Sequence, residues 1–336
     1  MLVVRQQGQV RDMLLATPCL RALRECLPKS WITLVASDDN EAVARNNPYV
    51  NEVVVFSRKA FRLNPLALLG FIWALNGKRF DVAVMLSTPT MSLTSALLCV
   101  WSGARFRVAY SGESFGMGFV DGAFHFSFPI EDAAAHQTRL NLQLLEYFKI
   151  TTQDLSPIMV PSADDEEFAR ELDSRLRPAS TAPSRLVAIH PGAGREEHRW
   201  PAARFAELAR VLGASDGMKI LVVAGPSDVE VADEMLASLD PKPTLLTGET
   251  VGRVAGVMKR LDLFVCNDTD MLYVAAAVGC PTLGLFGPTD PARWAPLSKA
   301  VRTLRAPGED MGRLDQKEVT AAALGMLSSK GAARAD

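Results

Sequence analysis

Two hydrophobic periods alternate along this chain. Short runs rich in Val, Ile, Leu and Phe recur between longer stretches in which apolar residues return every three or four positions. The short runs suit buried parallel strands and the longer stretches suit amphipathic helices, so the chain reads as repeated β–α units. Strands are predicted over 2–4, 32–35, 53–56, 81–86 and 107–109, and again over 186–190, 220–224, 244–246, 263–266 and 282–286. A helix is predicted over 13–26, where Leu14, Leu15, Leu20, Leu23 and Leu27 fall near helical spacing, with others over 202–212, 228–239, 251–259, 271–278 and 316–327. Residues 151–184 break the rhythm: Pro157, Pro161, Pro178 and Pro183 surround an acidic helix over 163–177, the composition of an interdomain crossing. The expected domains are 1–155, a linker over 156–184, 185–310, and a C-terminal helix with a frayed tail over 311–336. The fold class is α/β, two similar Rossmann-like doubly wound domains facing each other across a central cleft. Ligands of such sheets bind outside the carboxyl ends of the strands.

Charge and composition narrow the function classes. A net charge of −2 over 336 residues supplies no basic field of the size nucleic acid needs. Cys19, Cys26, Cys99, Cys266 and Cys280 are odd in number and widely spaced, which predicts reduced, mostly buried thiols, no structural zinc and a cytoplasmic protein. The chain enters a strand at once, without the features of a signal peptide. Its longest apolar run, 66–75, is ten residues, about half of what spans a bilayer. That run is predicted to be a buried helix, with rest on a membrane surface as the alternative.

Four segments at predicted strand ends carry candidate chemistry. In the first, Gly8-Gln9-Val10-Arg11-Asp12, Asp12 stands at a helix start, either as a cap or as a general base whose ionised form the helix dipole favours. The second, His190-Pro191-Gly192-Ala193-Gly194 followed by Arg199-Trp200-Pro201, is a small-residue loop that lets backbone N–H groups approach phosphate. In the third, Asn267-Asp268-Thr269-Asp270-Met271, the Thr269 hydroxyl and the first helical turn suit a diphosphate, or else Asp268 or Thr269 merely caps the helix. The fourth, Phe286-Gly287-Pro288-Thr289-Asp290-Pro291, is a rigid loop after the last main strand.

Taken in this order the segments resemble the bacterial ADP-heptose:lipopolysaccharide heptosyltransferases, glycosyltransferase family nine, which have the GT-B architecture. The likeness runs from Val3 to about Leu304 and includes Asn47-Pro48, His136 with Arg139, Ala224-Gly225-Pro226 and Ala275-Ala276-Ala277. The resemblance implies inverting, metal-independent transfer of a heptose from an ADP-sugar, a substrate and not a cofactor, to a glycolipid or glycan acceptor at the inner membrane surface. Asp12 would deprotonate the acceptor hydroxyl. Gly192, His198, Arg199, Asp268, Thr269, Asp270, Met271 and Thr289 would bind the donor. Arg58, Lys59 and Arg62, read as a loop, would meet acceptor phosphates together with His136 and Arg139, or else form a solvated basic surface. It also implies a cytoplasmic enzyme, peripheral on the inner membrane, with no transmembrane segment.

The pattern is broken at the site. The family's Gly before the catalytic Asp is Arg11, and Gln9 stands in a loop that is normally small. The Lys before Arg-Trp-Pro is His198, Asp-Thr-Gly becomes Asp268-Thr269-Asp270, and the following His is Tyr273. Asp270 puts a carboxylate where a diphosphate would sit, and like charges in one site disfavour each other. Two functional classes follow: an active transferase, or an inactive GT-B homologue acting as a binding or assembly module in which Arg11, Asp270 and Tyr273 fill the phosphate site.

Overall fold

Each of two units, Met1–Val160 and Pro161–Asp336, is organised around one six-stranded sheet. The structure, a computed structural model, describes residues 1–178 and 184–333. The expected roles of Pro183 in the crossing and of the last residues as a frayed tail therefore lie outside the described residues.

The first sheet contains β1 (Leu2–Val4), β2 (Thr33–Ser37), β3 (Glu52–Phe56), β4 (Val82–Met85), β5 (Phe106–Tyr110) and β6 (Phe126–Phe128). The second contains β7 (Arg185–His190), β8 (Met218–Ala224), β9 (Thr244–Thr247), β10 (Leu263–Asn267), β11 (Thr282–Phe286) and β12 (Val301–Arg305). All pairings are parallel, and the orders are β3-β2-β1-β4-β5-β6 and β12-β11-β10-β7-β8-β9. Both are the doubly wound order, whose direction reverses beside the first strand of each unit. The crevices for ligands accordingly open where β1 meets β4 and where β7 meets β10. The central strands Leu2–Val4 and Leu263–Asn267 are buried throughout, and their continuous apolar runs are what a sheet covered on both faces demands.

The ten expected strands are present; β6 and β12 went unread. Both are edge strands, and β12 holds Arg302, Thr303 and Arg305 with only two apolar residues, Val301 and Leu304. An edge strand needs no continuous apolar run, so its pattern is weak in sequence. The single helix expected over 13–26 is two, Val10–Leu14 and Thr17–Cys26, because Pro18 cannot donate within a helix and instead opens the second. The Thr17 hydroxyl donates to the Leu14 carbonyl at 2.7 Å across the break.

The acidic segment read as part of an interdomain linker holds the helix Ala163–Leu176, which belongs to the second unit. It packs against the helix Val251–Met258, where a Cβ on Gly256 would lie 2.7 Å from the Asp165 carbonyl oxygen. Only glycine there permits so close an approach. The C-terminal helix, Gln316–Ala333, places Val319, Ala322, Ala323 and Leu327 in the second unit's core. Cys19, Cys99, Cys266 and Cys280 are buried free thiols, whereas Cys26 is exposed.

The largest departure concerns the apolar run expected to be a buried helix. It forms the helix Pro65–Gly77, but only one side of it packs: Leu75 is buried, and Phe71 lies against Phe56 and Phe61 at centroid distances of 5.5 and 5.3 Å. The other side carries exposed leucines and a tryptophan. Among the described residues no helix is long and apolar enough to cross a membrane.

Candidate functional site

In the first unit the chain leaves β1 through Arg5 and Gln6, turns at Gly8, and starts the helix that carries Asp12. Gly8 has φ +89°, and a Cβ there would lie 2.5 Å from Asp12 Oδ2, so glycine is required twice over, by the turn and by the carboxylate packed beneath it. Asp12 is 7% exposed, and its Oδ2 accepts the Gln9 N–H at 2.8 Å. This is the capping role read from the sequence, but it occupies one oxygen only. The other, Oδ1, is buried without a hydrogen-bond partner among the described residues. A buried polar atom left unmatched is costly, so this oxygen has bonding capacity that a water or a ligand can take up.

A buried polar network holds this helix. The fully buried Arg5 guanidinium donates to the carbonyls of Leu86 at 3.0 Å, Thr88 at 2.6 Å and Asp12 at 3.2 Å, tying the loop after β4 to the Asp12 helix. Burial lowers the Arg5 pKa, partly opposed by the Asp12 carboxylate and the Cys19 thiol. The Thr88 hydroxyl bonds Gln137 at 2.7 Å and also Asn141, and Asn141 donates to the Leu15 carbonyl at 3.1 Å. Arg5, Thr88, Gln137 and Asn141 were not singled out in the sequence. A lone Arg after an apolar strand gives no sign that it will be buried.

The expected acceptor residues divide. Arg58 donates to Gln6 at 3.1 Å and is thereby tied to the loop after β1. Gln6 is itself held by Ser95 at 2.9 Å and Ser92 at 3.3 Å. Arg58, Lys59 and Arg62 lie on a short helix, Arg58–Leu63, rather than a loop, because the Ser57 hydroxyl caps it by accepting the Ala60 N–H. Lys59 and Arg62 are exposed. His136 is buried and caps the helix Gln137–Glu146, its Nδ1 accepting the Thr138 N–H at 3.1 Å, while Arg139 is exposed one turn on.

In the second unit three loops leave the carboxyl ends of β7, β10 and β11. Asn267, fully buried at the end of β10, joins two segments: its Oδ1 accepts the Trp200 N–H at 3.0 Å and its Nδ2 donates to the carbonyls of Pro191 and Gly192, both at 3.0 Å. Gly192 leaves no room for a side chain, since a Cβ would fall 2.3 Å from the Asp228 carboxylate. Arg199 donates to the Ala193 carbonyl at 3.1 Å, and its Nε is buried without a partner. His198 Nδ1 lies 3.3 Å from Thr289 Oγ1, which joins the loop after β7 to the loop after β11.

Thr269 precedes the helix Asp270–Ala277, and its Oγ1 makes no capping bond and has no partner among the described residues. Asp268 accepts from the Tyr273 hydroxyl at 3.2 Å through Oδ1, and its Oδ2 is likewise without a partner. Tyr273 is fully buried within the core. Its hydroxyl thereby orients the Asp268 carboxylate from a buried position. Asp270 and Met271, both half-buried, form the first turn of that helix. The helix N-terminus favours an anion of either kind, so the Asp270 carboxylate and a phosphate compete for the same field.

His190, at the end of β7, is a buried residue that the sequence reading placed in the loop motif without a role of its own. Its Nδ1 lies 2.9 Å from the Val223 carbonyl. Burial lowers its pKa from the ordinary 6.5, against smaller opposing effects of the Val223 carbonyl and the Asp228 carboxylate. The ring is thus neutral in the folded protein while the unfolded chain protonates near 6.5. Its stabilising contribution is complete above that pH and is lost as pH falls from there toward the lower folded-state value. Thermal melts between neutral and mildly acidic pH are expected to show a decline in Tm that His190→Gln reduces. Parallel declines in both proteins would contradict this assignment.

Among the described residues no group of three or more His, Cys, Asp or Glu is placed to hold a metal ion. Comparison with known proteins supplies the family. The chain is 27% identical over 297 residues to lipopolysaccharide heptosyltransferase 3 of Escherichia coli K12, covering 86% of this chain and 83% of the relative. Its fold matches a family 9 glycosyl transferase of Veillonella parvula with a TM-score of 0.87 at 23% identity, over 98% of this chain and 97% of that one. It also matches the ADP-heptose lipopolysaccharide heptosyltransferase II of E. coli with a TM-score of 0.80 at 22% identity, over 98% and 99%. The two parallel six-stranded sheets are those of the GT-B architecture. The profile described as "Glycosyltransferase family 9 (heptosyltransferase)" matches residues 69–322, and the chain belongs to that family.

Proposed function

We propose that this heptosyltransferase-like protein transfers a heptose from ADP-heptose to a lipopolysaccharide-core acceptor at the cytoplasmic face of the inner membrane. The observation that carries the reading is Asp12: a buried carboxylate in the first turn of the helix that follows β1, held by one oxygen and unpartnered at the other among the described residues. Oδ1 takes the proton of the acceptor hydroxyl as that oxygen attacks the anomeric carbon. The bond from that carbon to the phosphate oxygen breaks, inversion results, and ADP leaves with the negative charge. The start of the helix Asp270–Ala277, the Thr269 hydroxyl and the Arg199 guanidinium stabilise that charge without a metal ion. Gly192, His198, Asp268, Met271 and Thr289 shape the donor loops, and Asp270 tunes donor affinity by competing for the helix N-terminus. On the acceptor side Arg58 is the best placed cation, with Lys59, Arg62 and Arg139 as outer phosphate contacts and His136 holding the helix that carries Arg139.

Calorimetric titration with ADP, UDP and GDP tests the donor half directly. Micromolar, ADP-selective binding is expected. Selectivity for another nucleotide would replace the donor, and folded protein that binds none of the three would overturn the reading.

A further inference from the structure

We propose that the first unit docks on an anionic lipid surface through the outer faces of two neighbouring helices, Pro65–Gly77 and Leu93–Trp101. The first exposes Leu63, just ahead of it, by 79%, Leu66 by 75%, Leu69 by 62% and Trp73 by 81%. Leu66, Leu69 and Trp73 follow helical spacing, so they form one stripe opposite the packed side that holds Phe71 and Leu75. The second helix adds Leu93, Leu97 and Val100, again at helical spacing and all exposed. Asn76 of the first helix donates to the Trp101 carbonyl of the second at 3.3 Å, which sets the two side by side. Neither helix contains a charged residue. A helix that faces water on one side normally carries polar residues there, and one that is apolar on both sides is built to be covered on both.

Charge identifies what covers it. Between residues 53 and 112 there are seven Lys and Arg and a single acidic residue, Asp81. Arg58, Lys59 and Arg62 precede the exposed stripe and Arg79 follows it, while Lys78 beside Arg79 is paired with Glu52 at 2.6 Å. Apolar stripes bounded by cations suit a bilayer surface: leucines enter the acyl boundary, a tryptophan sits at headgroup depth, and each nearby cation contributes about 1 kcal/mol against anionic lipid. A second copy of the chain fits less well. A two-fold interface sets the same patch against itself, and with cations at both ends of the stripe either orientation opposes like charges.

Sedimentation with vesicles tests this, using the intact protein with phosphatidylethanolamine–phosphatidylglycerol vesicles and with pure phosphatidylcholine vesicles. Binding to the anionic vesicles is expected, weakened by salt, and about tenfold weaker in Leu69→Gln/Trp73→Gln. Both side chains are exposed, so this variant should keep the parent's circular dichroism and melting temperature. Its ADP titration should also match the parent's, which separates failure of docking from failure of the proposed transferase reading. Absence of binding to anionic vesicles would overturn the proposal, as would equal binding by the variant. A concentration-dependent dimer that the variant abolishes, without vesicle binding, would assign the face to a second copy and overturn it as well.

Discussion

Asp12→Asn is expected to lower the turnover number by about 10³-fold, within the range that general-base removal produces, while the protein stays folded. The two halves of that outcome follow from the two carboxylate oxygens. Oδ2 accepts the Gln9 N–H, and an asparagine oxygen at the same place can accept it equally well, so the start of the helix survives. Oδ1 has no partner among the described residues, and it is the atom proposed to take the acceptor's proton. An amide nitrogen or oxygen there cannot accept a proton at neutral pH. The expected loss corresponds to about 4 kcal/mol in the barrier. The test is ADP release from ADP-heptose in the presence of a lipopolysaccharide-core acceptor, alongside the ADP titration. Turnover falling with ADP affinity retained is the expected split, because the donor loops belong to the second unit. Turnover within threefold of the parent would remove Asp12 from the chemistry, as would a fall accounted for by lost folding. Arg5 constrains the reading further: its buried guanidinium holds the carbonyl of Asp12 itself, so the base sits on a helix with little freedom to move.

Asn267→Ala should destabilise the second unit by roughly 3–5 kcal/mol, a large share of the 5–15 kcal/mol typical of a domain. The side chain makes three buried hydrogen bonds, to the Trp200 N–H and to the carbonyls of Pro191 and Gly192. Alanine leaves those three backbone groups without partners in a place water does not reach, and each unmatched group costs about 1–3 kcal/mol. Denaturant unfolding of the intact protein, followed by a signal from the second unit, reads the effect. The same change should weaken ADP binding beyond what stability explains, since the Gly192 loop loses its anchor to β10. A loss below about 1 kcal/mol would mean that these groups find other partners, and Asn267 would then have no organising role.

The local period of the chain determined the elements and their class. Ten strands with helices between them, and the placement of candidate chemistry at strand ends, were legible because buried parallel strands need continuous apolar runs and their covering helices need a three-to-four-residue repeat. The four loop segments were legible as well, and the family with them, because their residue types and order are local properties of the chain. Asp12, Asp268 and Thr269 could be named on that basis. What each atom of those residues does could not. Whether Asp12 Oδ1 or Thr269 Oγ1 is satisfied depends on groups far away in sequence, and so does the burial of Arg5, two of whose three partners lie more than eighty residues on. Tertiary packing also decided which side of an apolar helix is covered: the run 66–75 has the composition of a core segment, yet the sheet takes only Phe71, Leu75 and their neighbours and leaves Leu66, Leu69 and Trp73 outside. It decided that the buried Tyr273 hydroxyl bonds the Asp268 carboxylate. Periodicity reports what an element requires of its surroundings; which surroundings it receives is set by contacts between residues that the sequence keeps apart.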